Sequence, residues 1–443
     1  MLKRILNCIL VLFLFSWLGQ AQNLTTNRVI EYEVKPKETI YSIGKRYQVS
    51  ESELLKLNPA LKDGLKAGQT LKIPVNQETM VVERKMPVVR GEFRPRMTLL
   101  LPFSEETPSN DRYVEFYEGF LLAVDSLKNM GLSFEVQAYE TGDDNQKLQK
   151  LIDDGTLDGT DCCIGGINPD QIKLLSDWAR VNLRYVVSPF SSKISEIEGN
   201  PYIYQTLSPH ASTISNTIDY IVSKYKKATF IFVGDALDQT DHRTQFYNEL
   251  NKTLRQKGFK TVQLSRLDDV EKLNSVLQSS ENVLIPAPNN LQETGNNLIQ
   301  LKAFKAAYPD KDFLLIGYPD WMALNKNHLK LLYELNTLIY SNFYADFTRD
   351  NVQNFQVQYN HYFGKNLLNT YPKYALMGFD VASYFIPKMV KERMINKPEI
   401  QRIESLQQQF KFSVSAVLNG QVNQVSYIIR YNSDVSTEVE IIK

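Results

Sequence analysis

The chain has 443 residues, 43% of them hydrophobic, and its 50 Lys+Arg are balanced by 50 Asp+Glu. A neutral chain has no electrostatic footprint for nucleic acid or for an acidic surface, and this length can bury more than one core. With three cysteines, two of them adjacent, a disulfide framework is excluded as the source of stability.

The N-terminus predicts export. Lys3 and Arg4 precede an apolar run from Ile5 to Leu18, and Gly19-Gln20-Ala21 offers a small residue for cleavage before Gln22, so residues 1–21 are expected to be a signal peptide. The run is too short for a membrane span. Cys8 stands before most of the apolar segment, where an acylated cysteine should follow it. The expected product is a cleaved, exported protein, periplasmic or cell-wall associated, with an uncleaved anchor as the alternative. Cys162 and Cys163 lie in an apolar strand pattern and are expected to be buried thiols.

Residues 31–75 contain a small, complete unit. A short alternating strand ends at Val34, Glu38-Thr39-Ile40 opens a helix, and Ile43 and Tyr47 repeat Ile40 at helical spacing. Ser50 with Glu53 three residues later is a capping box for a second helix carrying Leu54, Leu55 and Leu57. Asn58-Pro59 stops that helix, Gly68-Gln69 turns the chain, and Leu71 and Ile73 alternate as a returning strand before Pro74. In this order the segment resembles a LysM domain, with Lys37 where the family usually has Gly and Gly44 where it has Ala. The resemblance implies binding of the N-acetylglucosamine of peptidoglycan or chitin in a shallow groove. Its loops would be Lys37, Glu38, Thr39, Ile40 and Asn58, Pro59, Ala60, Leu61. Ile40 and Leu61 could equally serve as core.

Residues 76–95 mix Asn76-Gln77-Glu78-Thr79, charges at Glu83, Arg84 and Lys85, and Pro87 and Pro95 around Gly91, which reads as a linker. From Arg96 apolar strands alternate with amphipathic helices. Strands are expected at 97–103, 132–139, 162–167, 184–189 and 202–207, with helices at 113–130, 146–153 and 172–181 between them. A second series follows: helices at 211–224, 244–256, 270–277, 291–307 and 328–335, and strands at 228–233, 261–264, 283–287, 313–317 and 338–344. Near-continuous apolar strands imply parallel sheets covered on both faces, so the expected fold class is α/β with two doubly wound domains side by side. Helices at 354–363 and 375–394 and irregular strands over 412–442 complete the chain.

A second resemblance covers nearly all of 96–443. Tyr117-Glu118-Gly119-Phe120-Leu121-Leu122-Ala123-Val124-Asp125, Ile164-Gly165-Gly166, Tyr185-Val186-Val187-Ser188-Pro189-Phe190-Ser191-Ser192 and Gly378-Phe379-Asp380-Val381-Ala382 stand in the order of landmarks in type I periplasmic binding proteins of the amino-acid-binding group. That family has two lobes joined by three crossings. Here these would fall near Leu207, near Tyr344 and before Phe412, giving lobe 1 as 96–206 with 345–409 and lobe 2 as 207–344 with 410–443. Ligands face the carboxyl ends of the strands, where the resemblance places Ser104, Gly166, Asn168, Ser188, Ser191 and Ser192 in lobe 1, and Asp235, Asn289, Tyr318 and Asp320 in lobe 2. It implies that hydroxyls and amides at Ser191-Ser192 hold an amino-acid carboxylate while Asp320 or Asp235 meets the amino group. The chain departs from the family at Ala236-Leu237-Asp238 and at Phe190. Ser191-Ser192 and Asp320 could instead be helix caps.

No motif for catalysis is present: no Gly-x-Ser-x-Gly, no His-Glu-x-x-His, no phosphate loop. His210, His242, His328 and His361 are not spaced as metal ligands and read as surface residues. Neither metal, cofactor nor enzymatic activity is expected. The expected function is a wall-tethered binding or regulatory protein, with peptidoglycan, a cleft ligand or an envelope protein as partners. This resembles the logic of envelope lipoproteins whose binding-protein-like domain activates a peptidoglycan synthase. The alternative is a solute-binding protein delivering amino acids or peptides to an ABC transporter.

Overall fold

The computed structural model describes residues 28–34, 39–47, 49–75, 93–103, 110–277, 281–393, 400–416 and 418–442. The expected signal peptide, most of the linker, Lys37, Glu38 and Ser104 lie outside the described residues. The chain divides into two units, at residue 85.

In the first unit, β1 (Arg28–Glu33) pairs antiparallel with β2 (Thr70–Val75), Tyr32 opposite Leu71, and α1 (Ile40–Tyr47) and α2 (Glu51–Leu57) lie between them in sequence. The capping box forms as the sequence predicts: Glu53 N–H donates to Ser50 Oγ, and Ser50 N–H donates to Glu53 Oε2 at 3.0 Å. Val34, Ile43, Tyr47, Val49, Leu54, Leu61, Leu71 and Ile73 form the core. Gly44 has a steric reason as well as a helical setting, because a Cβ there would lie 2.7 Å from the Val49 carbonyl oxygen.

The second unit begins with β3 (Arg96–Leu101), α3 (Asp111–Asn129), β4 (Glu135–Glu140), α4 (Gln146–Asp153), β5 (Cys162–Gly165), α5 (Pro169–Asn182), β6 (Tyr185–Ser188) and β7 (Ile203–Gln205). A second βα series follows with α6 (His210–Lys224), β8 (Thr229–Val233), α7 (His242–Gln256), β9 (Thr261–Leu264), α8 (Val270–Val276), β10 (Asn282–Pro286), α9 (Leu291–Ala307), β11 (Leu314–Gly317), α10 (Lys326–Glu334) and β12 (Thr337–Ser341). The tail holds α11 (Asp350–Phe363), α12 (Tyr374–Arg393), β13 (Phe412–Ser413), β14 (Gln421–Asn423), β15 (Ser426–Tyr431) and β16 (Thr437–Ile442).

Two seven-stranded sheets result, ordered β13-β14-β7-β6-β5-β3-β4 and β16-β15-β12-β11-β10-β8-β9. Six neighbouring strands are parallel in the first sheet and five in the second, and the βα series of each follows the same doubly wound order, which explains why β5, β6, β8, β10, β11 and β12 are buried on both faces. Cys162 and Cys163 are free, fully buried thiols within β5.

Two landmark glycines fix the packing of lobe 1. A Cβ on Gly119 of α3 would sit 1.9 Å from the Ala375 carbonyl oxygen, and one on Gly378 of α12 would sit 1.9 Å from that of Phe116. The two helices therefore meet backbone to backbone.

The third crossing lies later than the sequence suggests. β14 pairs parallel with β7, Gln421 opposite Tyr204, so residues 412–423 extend the first sheet rather than the second. The chain changes sheet between Asn423 and Ser426. A strand leaving the carboxyl edge of one parallel sheet and entering the other at its carboxyl edge must then run backwards, and β15 is indeed antiparallel to β12. The crossings are tied together: Gln408 Nε2 donates to the Thr206 carbonyl at 2.8 Å, Asn423 Nδ2 to the same oxygen at 3.0 Å, and Tyr344 N–H to Gln407 O at 3.0 Å. Buried Asp380 of α12 anchors this knot by accepting the backbone N–H groups of Leu406, Gln407 and Gln408.

Candidate functional site

In the first unit Thr39, Pro59 and Ala60 are exposed and Ile40 is half-buried, so these remain open to a glycan. Leu61 does not: it is 3% exposed and belongs to the core. Asn58, 8% exposed, is a clamp. Its Nδ2 donates to Leu54 O and Lys72 O at 2.9 and 2.6 Å, and its Oδ1 accepts Lys72 N–H at 2.6 Å. An amide stitching a helix end to a strand has both of its N–H donors spent and none left for a sugar. Tyr41, 75% exposed beside Thr39 and Ile40, was not singled out by the sequence; its signal is an aromatic residue off the Ile40, Ile43 and Tyr47 face.

At the carboxyl ends of the first sheet, the predicted residues turn out largely to hold the protein itself. Gly166 is buried at φ +81°, and a Cβ there would lie 2.9 Å from Ile172 Cγ1. Asn168 caps α5, accepting Gln171 N–H while its Nδ2 donates to Asp143 O, both at 2.9 Å. Ser191 Oγ donates to Lys193 O at 2.8 Å and accepts Lys193 N–H, and Ser192 O accepts from Gln205 Nε2. Ser188 is buried with no partner for its hydroxyl among the described residues. Phe190 fills the space beside the serines, with ring centroids 5.0 Å from both Tyr113 and Phe116 and 6.4 Å from Tyr374. Arg112 stacks 4.7 Å from the Tyr113 ring centroid.

In the second sheet, Tyr318 is core. It is fully buried, its hydroxyl donates to Pro286 O at 2.7 Å, and its ring packs on Phe246 and Trp321. A strand-end tyrosine facing inward satisfies its hydroxyl on the neighbouring strand rather than on a ligand. Asp235 is exposed just past β8. Asn289 contributes its carbonyl to Arg243 Nη1 at 3.1 Å.

Asp320 is not a free anion. Arg243 Nη1 donates to its Oδ2 at 2.5 Å, while Arg243 Nη2 and Nε hold Asp241 at 2.7 and 2.9 Å. Burial pushes the Asp320 carboxyl above its ordinary range despite the opposing guanidinium. For Asp241, burial also pushes upward, but the bonds from Arg243 outweigh it and hold the carboxyl low. The hydrogen bond to Asp241 in turn raises Arg243. Beside them, the rings of His210 and His242, at the starts of α6 and α7, stack with centroids 4.1 Å apart and planes 14° from parallel. Burial, with His242 adjacent, lowers His210 to about 4. From sequence these histidines read as surface residues, because they stand 32 positions apart and no local spacing signals the pair. No group of three or more His, Cys, Asp or Glu suited to a metal occurs among the described residues.

The LysM family model matches residues 32–74. Residues 32–74 form a LysM domain. No curated protein matches the chain. Among solved structures, a protein from Rhodospirillum rubrum described as a branched-chain amino acid ABC transporter is 12% identical at a TM-score of 0.56, covering 79% of this chain and 100% of its own. A branched-chain amino acid ABC transporter periplasmic ligand-binding protein from Burkholderia xenovorans is 13% identical at 0.49, with 79% and 95% covered. The C-domain of LpoA from Haemophilus influenzae, a regulator of PBP1A, is 13% identical at 0.47, with 78% and 99% covered. At 12% identity the first of these speaks to fold: the part beyond the LysM domain has the two-lobed architecture of type I periplasmic binding proteins.

Proposed function

We propose that this is an extracytoplasmic peptidoglycan-binding protein whose LysM domain tethers a non-catalytic, two-lobed receptor to the cell wall, where the receptor senses or regulates an envelope process. The LysM match carries this reading, and the exposure of Thr39, Pro59 and Ala60 supports it. LysM and periplasmic-binding-protein folds are non-catalytic families. No helix among the described residues is long and apolar enough to cross a membrane.

Delivery of an amino acid to a permease is the less supported reading. Asp320, the charge expected to meet an ammonium, is already paired with Arg243, and Phe190 with its aromatic neighbours occupies the serine loop expected to meet a carboxylate. A carboxylate neutralised by guanidinium attracts a ligand cation weakly. The cleft loops in this reading recognise a wall fragment or an envelope protein.

The test is co-sedimentation of the exported protein with purified sacculi, paired with thermal shift. Thr39→Ala combined with Ala60→Trp should abolish pelleting while leaving both units folded. Pelleting unchanged by that variant and by removal of residues 28–75 would overturn the tether. A free amino acid at 100 times its Kd should stabilise a true solute receptor by about 2.7 kcal/mol; such a shift would favour delivery over regulation.

A further inference from the structure

Between α12 and the segment 400–410 lies a pocket of about 440 Å³, whose inner end at Gln408 reaches the Thr206 carbonyl just past β7. One face of the helix supplies Asp380, Ser383, Tyr384, Pro387, Lys388 and Lys391 at i+3 and i+4 spacing, and the opposite wall includes Arg402, Gln408 and Phe410.

The inner wall carries hydrogen-bonding capacity that the protein leaves unused. Gln408 is 1% exposed; its Nε2 donates to Thr206 O, and its Oε1 has no partner among the described residues. Ser383 Oγ is also buried without a partner among the described residues. Pro387 sits inside α12 and has no N–H to give to the Ser383 carbonyl four residues earlier, so a third oxygen on this face loses its helical donor. Asp380 is different, since its carboxylate is spent on three backbone amides. The outer wall is cationic. Lys388 pairs with Glu392, whereas Lys391 and Arg402 have no ion-pair partner among the described residues. Tyr384 and Phe410, with ring centroids 5.0 Å apart, provide an apolar side.

Buried acceptors within and unpaired cations at the rim ask for a molecule with N–H donors at one end and an anion at the other. We propose that this pocket is a second ligand site, separate from the interlobe cleft, for a short acylated peptide carboxylate. The carboxylate lies between Lys391 and Arg402, backbone N–H groups reach Gln408 Oε1 and Ser383, and small side chains rest on Tyr384 and Phe410. Because Gln408 and Asp380 belong to the knot that ties the crossings, the occupant bears on the hinge.

The test uses the full chain and N-acetyl-alanyl-alanine as probe, with its C-terminal amide as control. Calorimetry should show saturable binding of the acid and at least tenfold weaker binding of the amide. Lys391→Gln with Arg402→Gln, both away from the core, should weaken the acid at least tenfold with an unchanged melting point. Hydrogen exchange should show protection in α12 and in 400–410. Absence of binding at millimolar probe, equal affinity for acid and amide, an unaffected double variant, or protection confined to 188–192 and 235–239 would each overturn the assignment. Sacculus pelleting reports the tether separately and does not depend on these outcomes.

Discussion

Replacing Asn58 with alanine should unfold the LysM domain rather than trim its groove. The side chain makes three hydrogen bonds, two to Lys72 of β2 and one to Leu54 O at the end of α2. At about 1 kcal/mol net per bond the loss is about 3 kcal/mol, lowered somewhat because the two bonds to Lys72 are only part-buried. A domain of this size holds only about 2–7 kcal/mol in total. The low-temperature transition of the full chain in differential scanning calorimetry should therefore drop by about 10–20 °C or vanish. Asn58→Asp should be nearly as damaging, since a carboxylate still accepts Lys72 N–H but cannot donate to the two carbonyls. Ala60→Ser, on the exposed surface, should leave the transition in place. An Asn58→Ala protein melting within about 2 °C of the parent would refute the clamp.

Gly378→Ala should cost about 3 kcal/mol by forcing α3 and α12 apart, read as a shift in denaturant midpoint of the second unit; a change below about 0.5 kcal/mol would contradict the backbone contact. Arg243→Met should cost about 2 kcal/mol by stranding Asp241 and Asp320, and Asp320→Asn in the same chain should recover part of it, which a double-mutant cycle measures. Desolvation beside His242 lowers His210, still partly exposed, from its ordinary value near 6.5 to about 4 in the folded state. The unfolded chain therefore takes the proton first on acidification, so His210 favours the folded state above pH 6.5 and loses that contribution as pH falls towards 4. Its stacked neighbour His242 is lowered too, by burial, while Asp241 opposes the shift in both; Asp320 opposes it in His242 and Arg243 adds to it there. Chemical denaturation between pH 7.5 and 4.5 should show a shallower loss in His210→Gln than in the parent.

Much of the fold is legible without coordinates because its signals are local. Gln146–Asp153, Thr261–Leu264 and Leu291–Ala307 begin and end where periodicity and turn residues place them, and Ser50 with Glu53 closes its box within four residues. Gly119 and Gly378 stand within family landmarks in the sequence, but only their approach to Ala375 and Phe116 gives the reason for a missing side chain. The site was less legible. Asn168 was placed near a ligand by its position at a strand end, yet position does not reveal that both of its polar atoms are already engaged.

The amino-acid order by itself determined the LysM unit and the alternation that makes two parallel sheets, since each rests on contacts or periodicities spanning a few residues. Packing between distant segments decided the rest. It paired Arg243 with Asp320 across 77 positions, stacked His210 on His242, turned Tyr318 inward, and sent residues 412–423 to the first sheet because the edge of β7 was open to a parallel strand there. Those choices depend on which surfaces meet once the backbone has closed, and no short window of sequence contains that information.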